Sequence, residues 1–170
     1  MTERSENEIA VMVTKAARGA GLPLGHAEIL GGAAVWLGSD LSPLVRSLVN
    51  FGNPAFTSAR DVFEGVVLAN QAYLGHGEPR SVIGMDEPSV ACACAQNYAY
   101  LLGMQARCET NATAVTIVIE EGARANRPAG RFDIEDEVWD QLADMAARIL
   151  VPATEASRLS GAGAGLTDND

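Results

Sequence analysis

Alternation between apolar and polar residues is clearest in a stretch that reads MQARCETNATAVTIVIE, residues 104–120. Apolar side chains occupy every second position from Met104 to Cys108, and again from Val115 to Ile119. A period of two places alternate side chains on one face of an extended chain. The stretch therefore predicts two antiparallel strands joined by a short turn.

Two strands alone are marginally stable in water, so this hairpin needs a cover. A helix, a third strand near Ser81 to Met85, or pairing across a dimer would each provide it. Because helical patterns dominate the rest of the chain, the predicted fold class is α+β.

Helical periodicity precedes and follows the hairpin. Ser5 and Glu8 have the spacing of a capping box, which predicts a first helix that ends near Arg18. The small residues at the centre of 87–103 are also compatible with a strand. Pro88 and the length of the run favour a helix instead. The other predicted helices cover 23–38, 42–51, 61–73 and, capped by Asp133, 133–151.

Length and charge limit the function classes. The chain has 170 residues and a net charge of −10, with 6 basic and 8 acidic side chains in 1–85, against 6 and 14 in 86–170. Such a balance opposes general binding to nucleic acid. The length predicts one domain, residues 1–170, with a glycine-rich tail at 160–170.

The sequence also opposes a membrane location. The opening residues are polar and acidic, and no apolar run approaches the ~20 residues that cross a bilayer. We therefore expect a cytoplasmic protein without membrane partners.

Cysteine and carboxylate patterns do not predict a metal or a cofactor. Cys92, Cys94 and Cys108 lack zinc-site spacing and are expected to be buried thiols. Asp136 and Asp140 lie in a run of six carboxylates, for which helix capping and solvation are simpler explanations than a cation site.

The candidate ligand site combines arginines with the tail. Arg127 and Arg131 lie in a Gly-, Pro- and Arg-rich loop, and guanidinium groups bind phosphate or carboxylate in forked geometry. Ser157 and Arg158 precede a GAGAG run that a backbone cradle would use, and Asp168 follows it. The alternatives are that the arginines are solvated or pair with the acidic helix, and that the tail is a turn-rich segment without a ligand.

Two segments carry a family resemblance. Residues 15–23, KAARGAGLP, and the tail, which contains VPATEASR at 151–158, GAGAG at 161–165 and DND at 168–170, resemble a family of uncharacterised, mainly proteobacterial proteins known as a domain of unknown function. The resemblance implies a bacterial setting and ranks the tail above the acidic helix as a functional region. It carries no activity or cofactor.

The sequence thus favours a non-catalytic module that binds a small anion or acts as an accessory in a homo-oligomer. One alternative is a small enzyme that uses tail carboxylates such as Asp168 and Asp170. The other is a structural homodimer, held by the small-residue helix face at 31–34 or by the hairpin edge.

Overall fold

The computed structural model describes residues 1–51, 67, 80–83, 87–111, 114–120 and 126–149. Within these ranges the helices are α1 (Glu6–Gly19), α2 (Leu24–Leu37), α3 (Ser42–Val49), α4 (Pro88–Leu101) and α5 (Asp136–Ala147). The strands are β1 (Thr2–Ser5), β2 (Arg80–Ile83), β3 (Gln105–Thr110), β4 (Ala114–Glu120) and β5 (Arg131–Ile134). The predicted α+β class, with a helical first half, is confirmed.

The predicted capping box opens α1. Ser5 has extended backbone angles, its hydroxyl accepts from the Glu8 amide at 3.3 Å, and its own amide donates to the Glu8 carboxylate at 2.8 Å. Two amides that the helix leaves unpaired are satisfied in this way. The beginning of α1 was therefore readable from local sequence.

The predicted hairpin is the centre of a three-stranded antiparallel sheet. β3 pairs with β4, with Cys108 opposite Ile117, and the sheet order is β2-β4-β3. The third strand lies close to its predicted position, and the Ser81 and Thr116 hydroxyls share a hydrogen bond of 2.8 Å across it. β3 is an edge strand of this sheet.

A second, two-stranded sheet was not predicted. β1 runs antiparallel to β5, with Thr2 opposite Ile134 and Ser5 opposite Arg131. The sequence prediction that Asp133 caps the last helix is wrong, because Asp133 lies in β5 and the cap is Glu135. A strand of four residues is too short for an alternation of apolar and polar residues to be recognised in the sequence. The two strands are therefore identified only by their pairing in the structure.

The helix predicted at 42–51 is α3, which begins at Ser42 with Leu41 as its N-terminal cap and ends at Val49. The helix expected at 61–73 lies outside the described residues except for Val67, and so does the whole tail. None of the described helices combines the length and the apolarity needed to cross a membrane.

The larger of two buried groups, here called the helical cluster, joins all five helices. Its fully buried side chains include Ile9 of α1, Leu30 of α2, Leu44 of α3 and Leu142 of α5. Ile134 of β5 also belongs to it, so the small sheet is anchored in the same core.

Close backbone approach defines this cluster. A Cβ atom on Gly19 would overlap the carbonyl oxygen of Met145, and one on Gly31 would overlap the Thr14 side chain. Gly31 and Ala34 are buried in the protein interior because other helices pack closely against them. α1 and α4 pack against this segment of α2, and Gly32 stays partly exposed; the dimer contact expected at 31–34 stays a prediction.

The second group, the sheet cluster, lies between α4 and the three-stranded sheet. Alanines at 91, 95 and 99 form a stripe on α4 that packs on Val115, Ile117 and Ile119 of β4. Val90, Ala93 and Cys94 of the same helix belong to the helical cluster instead. α4 thus separates the two cores and contributes to both.

Candidate anion-binding site

The structure describes two of the five predicted site residues. Arg127 lies just before β5 and Arg131 is its first residue, whereas Ser157, Arg158 and Asp168 lie outside the described residues. The predicted assembly of both arginines with the tail therefore stays a prediction.

Pairing of β1 with β5 places the arginine segment against the N-terminal segment. The Glu6 amide donates to the Gly130 carbonyl at 3.2 Å, one residue beyond the end of the strand pair. As a result the arginines contact glutamates of the first six residues, and not the acidic helix α5 that the sequence had offered as their partner.

Arg131 forms an ordinary surface ion pair. Its Nε lies 2.8 Å from the Glu3 carboxylate, and both side chains are more than half exposed. Such pairs contribute little to stability because water and salt screen them. Arg131 therefore tethers β5 to β1 only weakly.

Arg127 is placed differently. Its side chain is 30% exposed, and its Nη1 is 3.8 Å from the Glu6 carboxylate, beyond hydrogen-bond distance. Its Nε is buried and has no hydrogen-bond partner among the described residues. A buried charged donor without an acceptor is costly, so this guanidinium favours an acceptor at Nε.

Arg4 is a third arginine in this region, and it was not among the residues predicted from the sequence. Its guanidinium carbon lies 4.4 Å from the ring centre of Trp139, which is a cation–π distance. Its Nε is likewise buried without a partner in the described part of the chain. No local sequence pattern predicts the contact of Arg4 with Trp139, because it depends on β1 packing beside α5.

Neighbouring carboxylates respond to these groups. The pKa of Glu8 lies below its ordinary value because the Ser5 amide and hydroxyl donate to it, with smaller contributions from the Arg131 and Arg4 charges. The pKa of Asp136 is also lowered, first by the N-terminal ammonium and then by the Thr2 hydroxyl. The region thus stabilises negative charge on its own side chains.

The other carboxylate and cysteine candidates give no metal site in the described residues. No group of three or more metal-binding side chains is found there. Cys94 is fully buried, and desolvation raises its pKa to about 12. Asp136, from the acidic run, is engaged by the N-terminal ammonium at 2.7 Å.

Two open apolar grooves flank Lys15 on the surface of α1. One, of about 470 Å³, lies between α1 and α2 and is lined by Val11, Glu28 and Gly32 among others. The other, of about 280 Å³, lies between α1 and α5 and includes Ile149. Val11 and Ile149 are 45% and 41% exposed, which is high for aliphatic side chains.

Comparison with known proteins gives one match. A family model described as a protein of unknown function (DUF3726) matches residues 4–52, which include Arg4 and helices α1 to α3. No curated protein and no solved structure matches the chain. The match supports an uncharacterised domain family over the first part of the chain, and it does not extend to the tail.

Proposed function

We propose that the protein is a non-catalytic module that binds a small oxyanion, a carboxylate or a phosphate, with Arg127 as its principal ligand. The observation that carries the proposal is the buried Nε of Arg127, which has no acceptor among the described residues. The Glu6 carboxylate lies 3.8 Å from Nη1 of this guanidinium.

The geometry suits a forked ligand. A guanidinium binds a carboxylate or phosphate through two parallel N–H groups, and Nε with one Nη forms such a fork. An anion oxygen at Nε would satisfy the buried donor, and a second oxygen would accept from Nη2, which lies on the same side of the guanidinium as the Nε hydrogen. Partial burial of the guanidinium strengthens its attraction to an anion, because it reduces the screening of the two charges by water.

The remaining predicted residues take supporting roles in this proposal. Arg131 contributes positive charge while it stays paired with Glu3. Ser157, Arg158 and Asp168 of the tail are proposed to complete the site, with the first two as donors. Bacterial cytoplasm, the proposed location, supplies such anions in abundance.

Isothermal titration with inorganic phosphate and with citrate at low ionic strength tests the proposal. Arg127→Gln should weaken binding by about tenfold or more, since a charged hydrogen bond contributes about 1.5–3 kcal/mol. Arg107→Gln is the matched control, because Arg107 is 61% exposed on β3, away from the site. Glu6→Gln should tighten binding by removing a negative charge close to the Arg127 guanidinium.

Unchanged affinity in Arg127→Gln would refute the role of Arg127. Arg158→Ala tests the tail separately, and an unaltered affinity there would remove Arg158 alone from the proposal.

A homodimer through the α1–α2 groove is the second candidate. Lys15 and Glu28 are both exposed on this groove, and no ion pair joins either of them to another described residue. In a two-fold dimer, each lysine can meet the glutamate of the other copy, so the surface is self-complementary. Exposed Val11 would supply apolar contact between the copies.

Analytical ultracentrifugation over a concentration series tests this second candidate. Lys15→Glu should dissociate the dimer, and the charge exchange of Lys15→Glu with Glu28→Lys should restore it. A wild-type chain that stays monomeric at high concentration would refute it.

The enzyme alternative depends on Asp168 and Asp170, which lie outside the described residues. Deletion of residues 166–170 remains its test, with loss of turnover and an intact fold as the expected result.

A further inference from the structure

Two cysteine side chains meet where α4 crosses the edge of the three-stranded sheet. Cys92 lies in the second turn of α4 and Cys108 in β3, and both are partly buried against the sheet cluster. The Cys108 thiol donates to the Cys92 carbonyl oxygen, with a sulfur–oxygen distance of 3.6 Å. The two cysteines are therefore neighbours in the folded chain, although 16 positions separate them.

Their environments make the two thiols unequal. Donation from Cys108 lowers the pKa of Cys92, whereas the same hydrogen bond and burial raise the pKa of Cys108. The thiolate is the nucleophilic form of cysteine, so Cys92 is the better nucleophile and Cys108 the proton-bearing partner. Cys94 differs from both because it is fully buried in the helical cluster.

We propose that Cys92 and Cys108 form a reversible intramolecular disulfide when the reduced protein meets a hydroperoxide. The sequence predicted three buried thiols without a reactive pair, because the approach of Cys108 to Cys92 requires β3 to pack beside α4.

The chemistry proceeds in two steps. The Cys92 thiolate attacks the terminal oxygen of the hydroperoxide, the O–O bond breaks, and an alkoxide or hydroxide leaves while Cys92 becomes a sulfenic acid. The Cys108 sulfur then attacks the Cys92 sulfur, the S–O bond breaks, and the departing hydroxide takes the Cys108 proton as water. Two electrons pass from the two thiols to the peroxide, and a dithiol reductant reverses the process.

The bond would fasten the edge strand β3 to α4. It closes the segment 92–108, which includes the turn at Gly103, where φ is +76°. A cross-link of this kind restricts the unfolded chain and holds the sheet edge against its covering helix. We therefore expect oxidation to raise the thermal midpoint and to slow amide exchange in β3.

Peptide mapping by mass spectrometry is the direct test. The folded, reduced full-length chain is treated with one equivalent of hydrogen peroxide and blocked with iodoacetamide. A 92–108 cross-link, with a mass lower by about 2 Da for the two hydrogens lost, is expected in the monomer. It should form in Cys94→Ser, and dithiothreitol should remove it.

Two variants separate the roles. Cys108→Ser should stop at a Cys92 sulfenic acid that dimedone traps, and Cys92→Ser should lose most of the reactivity of the protein toward peroxide. Circular dichroism checks that both variants are folded.

The wild-type map decides the matter even if a variant unfolds. Absence of a 92–108 bond in the folded, oxidised wild type, or equal formation of bonds to Cys94, would overturn the proposal. Equal yield in urea would overturn it as well, because the reaction would then not depend on the folded contact.

Discussion

The helical cluster and the sheet cluster are packed by different means, although α4 belongs to both. In the helical cluster, helix backbones touch at glycines, as Gly19 does with the Met145 carbonyl. In the sheet cluster, an alanine stripe on α4 rests on β-branched residues of β4. A backbone contact has no side chain that can move, whereas a layer of side chains has rotamers with which to adjust. The helical cluster should therefore tolerate added volume less well.

The largest effect is expected from Gly19→Ala. Its Cβ would overlap the Met145 carbonyl oxygen, and α1 and α5 would have to separate to admit it. We expect a loss of about 3 kcal/mol in the free energy of unfolding, measured by urea denaturation. Gly25→Ala is the control, because no atom lies within 4 Å of its Cβ position. A loss no greater than that of the control would contradict the backbone contact.

A smaller loss is expected from Ala95→Leu in the sheet cluster. Ala95 is fully buried in the sheet cluster, beside Val115, Ile117 and Ile119 of β4. We expect a destabilisation of about 2 kcal/mol by the same measurement. Leu101→Ala, at a position that is 66% exposed, should change little. If Ala95→Leu costs more than Gly19→Ala, the proposed difference between the clusters is wrong.

Asn97 tests the contact between α4 and α2. It is 4% exposed, its amide lies against Gly32, and its Nδ2 donates to the Ile29 carbonyl at 3.4 Å. Asn97→Ala should cost about 1 kcal/mol, since the bond is long but the carbonyl loses its donor. Asn50→Ala removes an exposed bond to the Arg46 carbonyl and should cost less. Equal losses would show that burial of Asn97 does not matter.

The smallest effect on stability is expected from the ion pair between the N-terminal ammonium of Met1, next to β1, and Asp136 of α5. In a chain that keeps Met1, the hydrogen bond to Asp136 raises the pKa of the amine and lowers that of the carboxyl. Stability from Asp136 is lost as pH falls through its lowered pKa, below the ordinary 3.8, and stability from the amine is lost as pH rises through its raised pKa, above 8.0.

Asp136→Asn should therefore lower the thermal midpoint slightly between about pH 4 and pH 8 and converge with wild type outside that range. Because both groups are more than half exposed, the difference should shrink in high salt. A difference that is the same at every pH would rule out the ion pair as its cause.

Local signals predicted much of the fold. The capping box of α1, the β3–β4 hairpin and the helix at 88–101 were readable because each depends on residues close in sequence. The β1–β5 pair was not, since it joins residues about 130 positions apart and each strand has four residues. Its omission explains why Asp133 was placed in a helix cap.

In the candidate site, too, local signals were predictable from the sequence and contacts between distant segments were not. Arg127 and Arg131 were found because three arginines cluster in one loop, but their partners Glu6 and Glu3 come from the other end of the chain. Arg4 carried no signal of its own, because its environment is made by Trp139 of α5.

By itself the sequence determined the periodicities, the caps and the charge, because these follow from the chemistry of neighbouring residues. Tertiary structure alone decided that Arg4 and Arg127 each carry a buried Nε without an acceptor among the described residues, and that Cys108 lies beside Cys92. Both outcomes depend on contacts between distant segments, which form only when α4 and the two sheets pack. Residues with similar sequence signals, such as Cys94 and Cys92, consequently acquired opposite chemical environments.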